Sequence, residues 1–159
     1  MVEQAAKFPA ADAVKSSQYD FTVIDFVQKN QGCFIVVSDD SAFIAALRGA
    51  LQKQLALVSS NILSIVPDPA NILKALNSAE AGRQSPLIIM ERRLAGQDMT
   101  ATVKQLKTAF PRLLIIMLTM DVEKHRIMYL HEAGADNFIA KPVSVQTIIE
   151  KLAFTIKPQ

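Results

Sequence analysis

Four apolar runs in this chain end in groups that do chemistry, and the run closing on Glu91 is the most informative. Leu87-Ile88-Ile89-Met90 leads into that carboxylate. Phe34-Ile35-Val36-Val37-Ser38 runs into Asp39-Asp40, Leu113 to Leu118 runs into Thr119, and Asn137-Phe138-Ile139-Ala140 ends in Lys141-Pro142. Runs this apolar read as strands buried on both faces of a parallel sheet. Open α/β sheets place their sites in the crevice beyond the C-terminal ends of such strands. If these strands are neighbours, their ends gather three carboxylates, one hydroxyl and one ammonium on one edge. An oxygen-rich set of that kind suits Mg²⁺, which takes one or two carboxylates together with waters and a phosphate. Without a cation, the like charges repel and raise each other's pKa. Lys141 offers a compact positive charge to a carboxylate or a phosphoryl oxygen, and Thr119 offers a hydroxyl. The assembly looks like an Mg²⁺-dependent phosphoryl site. Singly, each group has a plainer role: Asp39 or Asp40 as a helix cap, Thr119 as a strand end, Lys141 as surface charge. Their joint occurrence at successive strand ends is what favours the site.

These ends have to be positioned by a regular alternation. Strands are expected at about 33–38, 62–66, 87–90, 113–118 and 136–140. Helices follow each: one from Ser41 with Phe43, Ile44, Leu47 and Leu51 on one face, one capped by Asp68 and opened by Pro69, and one capped by Asp98 with Met99, Val103, Leu106 and Phe110 inward. A further helix runs from Asp121 to Ala133 with Gly134 as its C-cap, and the last begins at Ser144 with Val145, Ile148, Ile149 and Leu152 inward. Strands alternating with helices imply a parallel sheet covered on both faces. Right-handed crossovers make the doubly wound order 2-1-3-4-5 the common arrangement, with strands one, three and four meeting at the switch point. Residues 1–31 stand apart as an N-terminal arm or linker. Within them Tyr19 to Val27 fits a helical stripe, while Thr22-Val23-Ile24 leans toward strand, and the pattern leaves the choice open.

Composition excludes several classes. With 159 residues the chain is long enough for one domain and its core, and a net charge of +2 gives no electrostatic footprint for nucleic acid. No apolar run approaches the ~20 residues of a membrane-spanning helix, and the N-terminus lacks the pattern of a signal peptide. Cys33, the only cysteine, opens a buried strand and reads as a small core residue. A reducing cytoplasm is the expected location. No G-x-G-x-x-G follows the first strand, which argues against a dehydrogenase.

On these motifs the chain resembles the receiver domains of bacterial two-component response regulators, over about residues 33–156. Ile35 to Phe43 is similar to the family's first strand and acidic pair, Glu91 to Asp98 to its phosphoacceptor segment, Leu118-Thr119-Met120 to its fourth-strand switch, and Gly134 to Pro142 to its fifth-strand signature. The resemblance implies a flavodoxin-like α/β fold, a receiver domain over 32–157, and no enzyme activity on an external substrate. It implies that Asp39, Asp40 and Glu91 are the Mg²⁺-binding groups, with Glu91 at the phosphoacceptor position. Thr119 would be the switch hydroxyl, Phe138 the rotating aromatic and Lys141 the phosphoryl contact, with a cis peptide before Pro142. Three positions depart from the pattern. Glu91 replaces aspartate, Ala95 replaces a proline, and Met120 replaces a small residue and would partly fill the space over the site.

A glutamate carboxylate lies about 1.5 Å farther from the backbone than that of aspartate. Displacement near 1 Å costs in-line transfer roughly a hundredfold. The expected function is therefore a phosphorylation-independent receiver, an interaction module in which Glu91 imitates the phosphorylated state. The alternatives are a phosphorylatable Mg²⁺-dependent receiver and a dimerisation or scaffold domain. The expected partners are a histidine kinase or an effector domain, or a second copy, and neither nucleic acid nor membrane. No residues remain in this sequence for a DNA-binding output domain. The output face by resemblance is the helix over 121–133 with the last strand and last helix, where Val122, Ile127, Tyr129, Val143 and Val145 are candidates for exposure.

Overall fold

The computed structural model describes residues 11–57, 62–120, 128 and 131–157. Five strands form one sheet: β1 (Gly32–Val37), β2 (Leu63–Val66), β3 (Ser85–Glu91), β4 (Leu114–Thr119) and β5 (Asn137–Ala140). Their order is β2-β1-β3-β4-β5 and every adjacent pair is parallel, the doubly wound arrangement expected from the alternating pattern. The chain is fully buried along β1 and over the last five residues of β3, as strands covered on both faces must be.

Alternate side chains along each strand feed two separate cores. Phe34, Val36, Leu87, Ile89, Ile116, Leu118 and Ile139 face one side. There they meet three helices: α1 (Ala11–Gln28), α2 (Ser41–Arg48, continued by a π-helical segment Gly49–Gln54) and α5 (Val145–Ile156). Ile35, Val37, Ile88, Met90, Ile115 and Met117 face the other side, against α3 (Ile72–Ala81, entered through a 3₁₀ turn Pro69–Asn71) and α4 (Thr100–Ala109). Asp40 caps α2, Asp68 caps the 3₁₀ turn before α3 by accepting from the amide of Ala70 at 3.0 Å, and Ser144 caps α5 by accepting from that of Thr147 at 3.2 Å. Asp98 falls one residue short of its expected role: Met99 holds the cap position of α4, and Asp98 accepts from the amide of Thr100 at 2.9 Å from just ahead of it. Asp121 and the helix expected to begin there lie outside the described residues up to position 127.

The ambiguous stretch from Tyr19 to Val27 is helical, and α1 reaches back to Ala11. Burial decides the matter. β1 already has a neighbour on each side, while a helical stripe puts Val23 and Phe26 into the core, with Phe26 against Phe34 and Tyr19 against Phe154 at ring-centroid distances of 5.6 and 5.2 Å. Phe26 lies so close over Gly32 that a Cβ there would sit 2.4 Å from its ring. On the far side, Asp136 accepts from the amide of Ile115 at 2.8 Å and from the Lys107 ammonium at 2.9 Å. That clamp fixes where β5 begins, and so where Lys141 emerges.

Candidate functional site

β3 ends at Glu91, level with Leu118 of β4. The chain then turns through a two-residue ladder, Arg93-Leu94 against Gln97-Asp98, tied by an Arg92–Asp98 ion pair at 3.3 Å. β1 ends one residue before Ser38, whose amide still bonds to the carbonyl of Val66. β5 leads to Lys141, whose amide donates to the carbonyl of Thr119 at 3.0 Å, and whose peptide bond to Pro142 is cis. The sheet therefore delivers Ser38, Glu91, Thr119 and Lys141 to one edge.

There the side chains close a ring. The Ser38 hydroxyl accepts from the amide of Asp40 at 3.0 Å, so its own proton is directed at Glu91 Oε2, 2.6 Å away. The same Glu91 oxygen accepts from Lys141 Nζ at 2.9 Å, and Lys141 also donates to Asp40 Oδ2 at 2.8 Å. The remaining Asp40 oxygen accepts from the amides of Ala42 and Phe43 at 3.0 and 3.1 Å, capping α2. Ser38 is 0% exposed and Glu91 7%. A carboxylate that far from water persists because an ammonium and a hydroxyl satisfy it. The Lys141 bond, followed by that of the Phe43 amide, holds the Asp40 carboxyl below its ordinary value. For Lys141, burial acts to lower the value, and the bonds to Asp40 and Glu91 outweigh it, so the ammonium is held above its ordinary range.

Thr119 is buried at the end of β4. Phe138 is half-buried beside the Met117 side of the core, with Lys151 Nζ 5.4 Å from its ring centroid. Asp39 is exposed at the rim. Met120 is 80% exposed, so the expectation that it fills the space over the site is corrected. Val143 and Val145 are half-buried against the core and not freely exposed, whereas Val122, Ile127 and Tyr129 lie outside the described residues. The sequence reading missed Ser38 as a site residue. A hydroxyl continuing a wholly buried apolar run was the available signal, since a buried hydroxyl needs a partner.

Mg²⁺ demands a near-octahedral shell of oxygens. Among the described residues, no three histidine, cysteine, aspartate or glutamate side chains come close enough to hold a metal. Of the expected set of Asp39, Asp40 and Glu91, Asp39 is exposed and the other two share one ammonium. The donor arrangement does not fit the ion.

The response regulator receiver domain family model matches residues 34–153. The DNA-binding transcriptional regulator NtrC of Escherichia coli K12 is 25% identical over 119 residues, which are 75% of this chain and 24% of that protein. The chain thus spans about a quarter of the length of the curated relatives it matches. Among solved structures, the chemotaxis protein CheY4 of Vibrio cholerae matches with a TM-score of 0.62 at 18% identity, covering 78% of this chain and 98% of that one. The response regulator DrrB of Thermotoga maritima matches with a TM-score of 0.61 at 21% identity, covering 76% of this chain and 50% of that one. These structures share the fold.

Proposed function

Because the chain belongs to the response regulator receiver domain family, we propose that it is a phosphorylation-independent receiver, with Glu91 in place of a phosphorylated side chain. The reading rests chiefly on the Glu91–Lys141 ion pair at 2.9 Å, reinforced by Ser38. Within this reading, the negative charge that phosphorylation would bring to the lysine is already supplied by the covalent chain. The longer side chain reaches Lys141 and Ser38 together, and buried as it is, the charge is held in one arrangement. Thr119 serves as the switch hydroxyl and Phe138 as the switch aromatic, with Lys151 holding the ring.

The receiver spans 32–157, with the preceding segment contributing α1 against it. Its work is binding and not catalysis, in the cytoplasm, with a histidine kinase, an effector domain or a second copy as partner. No helix among the described residues is long and apolar enough to cross a membrane. Phosphorylation at Glu91 is the competing reading, and the presence of both Thr119 and Lys141 at the site favours it. Intact mass after incubation with a small phosphoryl donor and Mg²⁺ separates the two. The wild-type chain should gain no phosphoryl group. An adduct that maps to Glu91 and disappears in Glu91→Gln replaces the proposed function with the competing one.

A further inference from the structure

We propose that the ammonium of Lys141 is the resident cation of this site, so that the chain does not take up a divalent ion at Asp39, Asp40 and Glu91. The inference rests on the receiver reading of the same residues. Lys141 Nζ bridges Asp40 Oδ2 at 2.8 Å and Glu91 Oε2 at 2.9 Å, which is the bridging a metal would perform between two carboxylates. Neither acid is free to change partners. Asp40 Oδ1 is held by the amides of Ala42 and Phe43, so turning that carboxylate toward a metal uncaps α2. Glu91 Oε2 also accepts from Ser38 at 2.6 Å, so the oxygen that meets the ammonium already carries two donors. A divalent ion on these oxygens has to expel the ammonium. The Lys141 side chain is only 17% exposed, and expulsion leaves it without its counter-charges. The charge of the site is then set by the chain itself and not by the ion concentration around it.

Amide NMR with Mn²⁺ as a paramagnetic probe, and Mg²⁺ as its competitor, tests the proposal. In the wild-type chain, the amides of Ser38, Asp39, Asp40 and Arg92 should keep their intensities through the millimolar range. Lys141→Gln removes the charge and keeps a polar side chain, one atom shorter. It should gain broadening at those amides that Mg²⁺ reverses, with at least about tenfold tighter binding. If Lys141→Gln does not fold, Lys141→Met is read in the same way, since it also removes the ammonium between Asp40 and Glu91. Site-specific broadening of the wild type that Glu91→Gln abolishes overturns the proposal, as does a folded variant no tighter than wild type. Mg²⁺ binding by a wild-type chain that gains no phosphoryl group overturns this inference and leaves the proposed function standing.

Discussion

A single methylene separates Glu91 from an aspartate, and its effect is read in the partners the carboxylate reaches. Removing the charge while keeping the shape, as in Glu91→Gln, leaves the Ser38 hydroxyl and one bond of Lys141 with a weaker acceptor. Hydrogen bonds to charged groups contribute about 1.5–3 kcal/mol, so urea unfolding should show Glu91→Gln destabilised by roughly 1–3 kcal/mol. Lys141 keeps Asp40 as its counter-ion in that variant, which holds the loss below that of stranding a buried charge. Ser38→Ala removes the donor to Glu91 and also the acceptor of the Asp40 amide, for a cost of about 1–3 kcal/mol. Because both changes act on one ring, their costs should not add. The coupling in the double variant should lie between about 0.5 and 3 kcal/mol. Strict additivity in the urea midpoints would show that the ring does not act as a unit.

At the scale of elements, the strands and their order were legible because every one is an apolar run with a turn signal at its end. The caps at Asp40, Asp68 and Ser144 were legible for a local reason, since each acts on amides within three residues of itself. α1 was not fully legible. Its β-branched centre matches two patterns, and the choice was made by a partner distant in sequence, the Phe34 ring of β1 and the end of α5. The ring at the site was half legible: strand ends placed Glu91 and Lys141 together, but which acid the lysine selects depends on side-chain reach. Ser38 looked like the tail of a strand. α1 gives the sharpest test of an element's weight. Phe26, nearly fully buried, should cost about 3–5 kcal/mol on replacement by alanine, while Phe21, 66% exposed on the same helix, should change stability by no more than about 0.5 kcal/mol. Equal, small effects on urea unfolding would mean that α1 is an arm lying on the domain and no part of its core.

For the whole molecule, Lys141 links three segments far apart in the chain, and its pairs make stability depend on pH at two separate ends. The folded-state value of Asp40 lies below its ordinary 3.8, chiefly through the Lys141 bond. The unfolded chain therefore binds that proton first, and the contribution, present above the ordinary value, is lost as pH falls through the depressed one. Lys141 has the opposite sign. Burial works against its charge, but Asp40 and Glu91 carry its folded value above the ordinary 10.5. Its contribution is fully present below 10.5 and is lost as pH rises through the raised value. Asp20 on α1 runs against both, since burial raises its carboxyl above 3.8 and one of its oxygens is buried without a hydrogen-bond partner among the described residues. Its ionisation works against folding as pH climbs past 3.8, and Asp20→Asn should stabilise the chain at neutral pH relative to acid. Lys141→Met should flatten the acid limb of the stability profile and the alkaline limb together, because one side chain serves both. Urea midpoints for wild type and Lys141→Met, compared from acid to alkaline pH, decide it. Loss of only one limb would show that Asp40 and Lys141 owe their shifts to different partners, and the site would then be two separate pairs instead of one ring.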